Sequence, residues 1–150
     1  MITLTKPEDW NPKYIIAGVI LSYDSRFLLL QRAVNDQYEP LWWGLPAGSV
    51  EKNETRIQSA IRELREETGV AAQTSDLVHL FDTYQVFEKS GIALEFSFFL
   101  LELKEKPNIQ LDVRDHSDYR WVTVRETKDL EMIEGNTFIF NVLKERGLIM

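Results

Sequence analysis

Gly48-Ser-Val-Glu-Lys-Asn-Glu54-Thr-Arg-Ile-Gln-Ser-Ala-Ile-Arg62-Glu63-Leu64-Arg65-Glu66-Glu67-Thr68-Gly69-Val70 is the stretch whose reading decides the fold. Thr55 offers a capping hydroxyl, and Gln58, three residues on, can reach back to it. Ile57, Ala60, Ile61 and Leu64 then recur at helical spacing, and Gly69 supplies a left-handed stop after Thr68. Glu63, Glu66 and Glu67 stand three and four residues apart, so they are expected to converge on one exposed helical face opposite the apolar stripe. Two carboxylates about 6 Å apart repel by roughly 3 kcal/mol at an effective dielectric of ~20. Arg62 and Arg65 offset part of that; a hard divalent cation offsets more. Glu54 and Arg62 are expected to pair and fix the loop against the helix, with Gly48 allowing a loop path that a Cβ would obstruct.

On either side of this helix the chain reads as strands. Tyr14 to Ser22 and Phe27 to Arg32 are β-rich runs joined by Tyr23-Asp24-Ser25-Arg26, a hairpin, and Ala33 to Leu41 is a loop. A second hairpin is expected between Leu77–Lys89 and Ile92–Leu103, turning at Ser90-Gly91. In its later arm Ile92, Leu94, Phe96, Phe98 and Leu100 form a core face, while Ala93, Glu95 and Ser97 line a wet cleft ahead of buried Phe99 and Leu101. A short strand at Tyr119 to Val124 precedes a last helix, capped by Asn136, burying Ile139, Val142 and Leu143 and ending at Gly147. The alternation of helices and strands without repeats argues for one mixed α/β domain over residues 1–150, with residues 1–13 as an N-terminal arm.

The 150 residues carry 17 Lys plus Arg against 24 Asp plus Glu, a net charge of −7, which repels nucleic acid and anionic lipid. A polyanionic substrate therefore needs local positive charge, most simply a bound cation. With no cysteine, thiolate metal sites and a cysteine nucleophile are excluded and the cytoplasm is the expected compartment. The apolar runs Tyr14 to Leu21 and Phe96 to Leu101 fall short of the ~20 residues of a membrane helix.

Gly, five residues, Glu, seven residues, Arg-Glu-aliphatic-any-Glu-Glu-any-Gly-aliphatic is satisfied at every specified position from Gly48 to Val70. Residue frequencies give such a match a chance of roughly 10⁻⁷. The sequence closely resembles the Nudix (MutT-like) hydrolase family, whose signature is this pattern. The likeness extends upstream through Phe27-Leu-Leu-Leu-Gln-Arg32-Ala and Trp43-Gly-Leu-Pro-Ala-Gly48, and downstream to Asp115-His116 and Trp121. It covers about residues 14 to 146. Ala47 departs from it, since many members carry Gly there.

The resemblance implies an α/β/α sandwich with a mixed central sheet, one catalytic helix and a C-terminal helix. It implies Mg²⁺- or Mn²⁺-dependent hydrolysis of a nucleoside diphosphate linked to another moiety, by water attacking phosphorus. Position by position, Glu63, Glu66 and Glu67 become the catalytic and metal-ligating residues, with Glu63 either ligand or general base. Asp115 and the Ala47 carbonyl complete the metal set. Arg32 at its strand end suits a phosphate fork, and Trp42, Trp43 and Tyr84 suit base stacking. His79 and His116 read as structural, and Glu95 as a reserve base or ribose contact. The expected partner is a small nucleotide, with no nucleic acid or membrane, acting on a monomer or homodimer.

A nucleotide-sugar substrate, GDP-mannose-like or ADP-ribose-like, is the alternative. Members that attack the sugar carbon depart from the pattern at the Arg-Glu pair, intact here as Arg62-Glu63. ADP-ribose members often carry a sizeable N-terminal extension, whereas thirteen residues precede the first strand here. A catalytically inactive nucleotide-binding module is the non-enzyme alternative; it would be expected to have lost one of Glu63, Glu66 or Glu67, and all three remain.

Overall fold

In the computed structural model, which describes residues 1–149, Asp24 and Ser25 alone separate the first two long strands. Tyr23 and Arg26, expected in the turn, pair with each other instead. Asp24 (φ 50) and Ser25 (φ 61) both adopt left-handed backbone, as a two-residue primed turn requires to match the twist of its strands.

The strands are β1 (Ile2–Thr3), β2 (Tyr14–Tyr23), β3 (Arg26–Arg32), β4 (Trp43–Gly44), β5 (Ala47–Ser49), β6 (Val78–Val86), β7 (Ala93–Leu103) and β8 (His116–Val122). Two α-helices accompany them, α1 (Arg56–Thr68) and α2 (Asn136–Glu145). The sheet runs β1-β6-β7-β2-β3-β4, with β5 added on β2 and β8 on β3. β2 and β7 pair in parallel from Tyr14–Leu94 to Tyr23–Leu103, and the named strands otherwise pair antiparallel. The mixed sheet expected from the sequence is thus observed.

Both faces are covered, which is why β2 reads as an unbroken apolar run. Ile20, Phe27, Leu29, Phe98 and Leu100 pack with Ile139, Phe140 and Leu143 of α2. Ala17, Val19, Leu21, Phe99 and Leu101 pack with Ala60 and Leu64 of α1. The result is a helix, sheet, helix sandwich. Neither helix is long and apolar enough to cross a membrane among the described residues.

Three further local expectations are corrected. The second hairpin turns through a broad Phe87–Ile92 connection, with Gly91 at φ +72, rather than at Ser90-Gly91 alone. The late strand begins at His116, not Tyr119, because its polar first half is held by pairing with β3 (Arg32↔His116) and not by β propensity. Gly135, at φ +91, caps α2; Asn136 is its first helical residue, and its Oδ1 accepts from the Leu45 amide at 3.2 Å. Within the N-terminal arm, β1 pairs with β6 at Gln85 and Tyr84. Gly147 does end α2 region as expected, at φ +69, its amide donating to the Lys144 carbonyl.

Since L-residues pay for positive φ, replacing Asp24-Ser25 by Asn-Gly should raise the unfolding free energy by about 0.5–1.5 kcal/mol. Urea unfolding of the double variant checks this; an unchanged or lower midpoint refutes it.

Candidate active site

α1 begins and ends as its sequence dictates. Thr55 Oγ1 accepts from the Gln58 amide (3.2 Å), Gln58 Oε1 accepts from the Thr55 amide (2.9 Å), and Gly69 turns left-handed at φ +76. The buried side of the helix is wider than the apolar stripe. Ala60 and Leu64 are sealed against the sheet, and Glu67 shares that interior at 7% exposure. The expectation of three exposed acids opposite the stripe is therefore corrected: Glu66 is exposed at 57%, Glu63 is mostly covered and Glu67 is buried.

Arg62 organises the loop before the helix. Its Nε and Nη2 donate to Glu54 at 2.8 and 3.1 Å, and Nη2 also donates to the Ser49 carbonyl at 3.1 Å. Its Nη1 donates to Glu63 at 2.9 Å and to Glu66 at 3.2 Å. The expected Glu54–Arg62 pair is thus present as a two-pronged clasp, and the guanidinium holds the Glu54 carboxyl down to about 2. Strand β5 pairs Gly48 with Ala17, directly under the Glu63 carboxyl. A Cβ on Gly48 would lie 2.0 Å from Glu63 Cδ. Glycine is needed there for close approach, not for a turn.

Glu67 is the electrostatic centre. Its Oε2 lies 3.5 Å from His116 Nε2, and its buried Oε1 has no hydrogen-bond partner among the described residues. Burial, then the charges of Glu63 and Asp115, push its carboxyl well above the usual carboxylate range. Burial also raises Glu63, against the opposing pull of Arg62. His116 reaches Glu67 because the preceding segment docks on the end of α1: Gln110 donates to the Thr68 carbonyl (2.8 Å) and Asp112 to the Glu67 carbonyl (3.2 Å). Burial lowers the His116 pKa despite nearby Asp115 and Asp112. Its Nδ1 is buried without a partner, so the reading of His116 as a satisfied structural histidine is corrected. That contact joins residues 49 positions apart, and no spacing in the sequence signals it.

The fold brings Glu63, Glu67, Ala47, Gly48, Asp115 and His116 together, with Glu66 on the outer flank. It does not deliver Trp43 or Tyr84. Trp43 is 5% exposed in the α2-side core with the Arg120 guanidinium 5.0 Å over its ring, so its faces are spent on packing. Tyr84 lies opposite Glu95 on the far strands β6 and β7. The paired row Asp82–Ser97–Ala17–Gly48 spans three strand spacings, about 14 Å. Arg32 is beside His116 in the β3–β8 register, but Glu39 (3.4 Å) and Asp36 (3.6 Å) engage its guanidinium.

Among the described residues, no three carboxylates or histidines close on a single point. A hard cation nevertheless fits the chemistry here: a buried carboxylate oxygen without a partner, a second carboxylate pressed against it, and oxygen donors without thiolate. The sign of the pH effect follows. Folded Glu67 holds its proton to higher pH than the ordinary 4.5, so above 4.5 the folded state binds more protons than the unfolded and stability falls as pH rises. Glu54 works oppositely, its stabilisation being full above 4.5 and lost progressively as pH falls from there through about 2. Across about pH 5 to 8 in chelator-treated protein, Glu67 should therefore lower the melting temperature as pH rises, while His116, its pKa lowered from 6.5 by burial, opposes it in the acid part of that range. Glu67→Gln should remove the falling contribution, so that its profile slopes upward relative to wild type. Thermal melts across this range decide it; parallel profiles would refute the buried charge.

A model of the NUDIX domain matches residues 12–140. The Nudix hydrolase YvcI of Bacillus subtilis is 27% identical over 135 residues, covering 89% of this chain and 82% of the relative. The phosphatase NudJ of Escherichia coli K12 is 27% identical over 113 residues, covering 75% and 70%. The NUDIX domain of Shewanella oneidensis NrtR, solved in complex with ADP-ribose, superposes with a TM-score of 0.73 at 18% identity over 95% of this chain and 93% of its own, a likeness of fold. With the signature helix, its loop and the sandwich around them all in place, the chain belongs to the Nudix family and is a hydrolase acting on phosphoric anhydride bonds.

Proposed function

We propose that this enzyme is a Mg²⁺- or Mn²⁺-dependent pyrophosphohydrolase cleaving a nucleoside diphosphate linked to another moiety, a nucleoside triphosphate or related small nucleotide, by attack of water on phosphorus. The observation that carries the reading is the buried Glu67, one oxygen without a partner, beside Glu63 over Gly48. Glu67, Glu63 and Glu66, with Ala47 and Asp115 at the margin, would hold the cation. When bound, the cation neutralises the diphosphate and acidifies the attacking water.

The chain's own residues do the rest. Arg62 holds Glu63 and Glu66 on one side of the helix while its clasp on Glu54 fixes the loop beneath them. Glu63, raised by burial, is suited to take a proton from water at its carboxylate. His116 positions Glu67 from the β8 side. The intact Arg62-Glu63 pair favours attack at phosphorus over attack at a sugar carbon. The chain is read as a single cytoplasmic domain, residues 1–13 being an arm on it, working as a monomer or homodimer on a small-molecule substrate.

The test is phosphate release from triphosphates, dinucleotides and sugar nucleotides with Mg²⁺ or Mn²⁺. Glu66→Gln and Glu67→Gln should each lower turnover at least about 10²-fold with the fold retained. Near-normal turnover in both contradicts the assignment, and saturable binding without turnover under every condition favours the inactive module. Hydrolysis in ¹⁸O-water should place the label on phosphate; label in the sugar would mean attack at carbon. Gly48→Ala, whose new methyl displaces the Glu63 carboxyl, should leave the melting temperature near wild type but cost at least about tenfold in kcat.

A further inference from the structure

A second cluster of charged side chains, with Glu95 buried at its centre and Arg56, Asp82 and His79 partly exposed around it, lies under the N-terminal end of α1, at the opposite end of the helix from Glu67. It exists because of the β-bulge in β6 between His79 and Phe81. The extra residue shifts the side-chain alternation, so that His79, Asp82 and Tyr84 face the same way, opposite Phe99, Ser97 and Glu95 of β7. Together they floor an open cleft of about 620 Å³, walled by Arg56 of α1 and by Lys6 of the arm. Trp10 of the arm sits edge-on to the Tyr84 ring, centroids 5.5 Å apart.

Glu95 is 6% exposed. Trp10 Nε1 donates to its Oε1 at 3.0 Å, and Arg56 pairs with its Oε2. The same Arg56 Nη1 donates to Ser97 Oγ (2.9 Å) and stands 3.8 Å from Asp82 Oδ2. Asp82 Oδ1 is 2.8 Å from His79 Nε2. Stability gives little reason for this arrangement, because partly exposed pairs contribute little and a pair with a buried member, such as Arg56–Glu95, is commonly no better than packed apolar residues. What the cluster does provide is carboxylate oxygens with unused acceptor capacity, since each accepts two bonds and each Glu95 oxygen has one partner. They lie at the base of a cleft whose surfaces include Tyr84, His79 and Phe99.

The fixed charges around the cleft balance: Lys6 and Arg56 against Asp82 and Glu95. No net field selects an anion or a cation. Flat aromatic surface combined with fixed acceptors instead suits an uncharged heterocycle bearing hydroxyl donors. We propose that this cleft is a second binding site, separate from the carboxylate ridge, for an uncharged nucleoside. Its heterocycle lies against Tyr84, which Trp10 supports edge-on, and its ribose hydroxyls donate to Asp82 and Glu95. α1 and the fully buried Ala17 stand between this cleft and Gly48, so occupancy needs neither the cation nor the reaction proposed above.

The experiment uses the full chain in chelator, titrated with adenosine, guanosine, adenosine monophosphate and inorganic phosphate. Binding is followed by the ¹⁵N-correlated signal of the Trp10 indole, identified by its loss in Trp10→Phe. A purine nucleoside should shift that signal saturably and do so equally in Glu67→Gln, which separates this site from the ridge. Asp82→Asn and, independently, Tyr84→Leu should each weaken the nucleoside at least tenfold, melts confirming that each variant is folded. The 5′-phosphate should bring no gain in affinity. An indole signal unmoved by either nucleoside at millimolar concentration overturns the proposal, as does a response abolished by Glu67→Gln. Undiminished affinity in both cleft variants, or tenfold tighter binding of the monophosphate or of phosphate itself, also overturns it.

Discussion

Two carboxylates, Glu63 and Glu67, are forced together where water screens them little, one mostly covered and the other buried, and the surrounding structure is arranged to sustain that conflict. Glu67 is driven inward because it flanks Ala60 and Leu64 on the side of α1 that seals the sheet. Glu63 is pressed onto β5 because Gly48 has no side chain to keep it away. Arg62 supplies the compensation that the chain itself can offer, but it spends two of its nitrogens on Glu54 and reaches Glu63 and Glu66 with the third. Glu67 is left with one oxygen unanswered. A folded protein retains such a cost where charge is needed for work rather than for stability.

The clasp and the site are one device. Without the Arg62–Glu54 pair, the loop carrying Ala47 and Gly48 would be tied to α1 by weaker bonds such as Ser59 Oγ to the Ser49 carbonyl, at 3.4 Å. The contact of His116 with Glu67 depends in the same way on backbone bonds, since Gln110 and Asp112 dock on the last carbonyls of α1. Those carbonyls have no partner within the helix, so the helix end itself recruits the segment that leads through Asp115 into His116 and β8. At the other end of α1, the bulge in β6 and the pairing of β1 along it assemble Asp82, Tyr84, Glu95 and Trp10 from three separate segments. Each end of α1 thus meets a polar cluster, one built by a segment docked on the helix carbonyls and the other by a bulge in the sheet.

The sequence was most legible where a local rule has a single structural solution. Thr55 with Gln58 specified where α1 starts, Gly69 where it stops, and the apolar alternation of β7 separated its core residues from Glu95 and Ser97. Errors fell where a side chain's partner is distant in the chain. Asn136 resembles a cap by type, yet the approach of Leu45 claims its oxygen and Gly135 takes the cap. Trp43 looks like a stacking residue, yet closing the sheet over α2 puts it in the core. The β6 bulge left no mark on the sequence, and it decides which way Tyr84 faces.

What the sequence by itself determined was the helix with its acidic ridge, its anchoring arginine and glycine, the apolar strands and the family to which they point, because these rest on spacings within a few residues and on side-chain type. Tertiary structure alone decided that Glu67 is buried, that His116 is its neighbour, and that Tyr84 and Glu95 share a cleft away from the ridge. The physical reason is that desolvation and pairing across strands depend on which distant segments close over a residue, and hydrophobic burial sets that for the whole sheet at once.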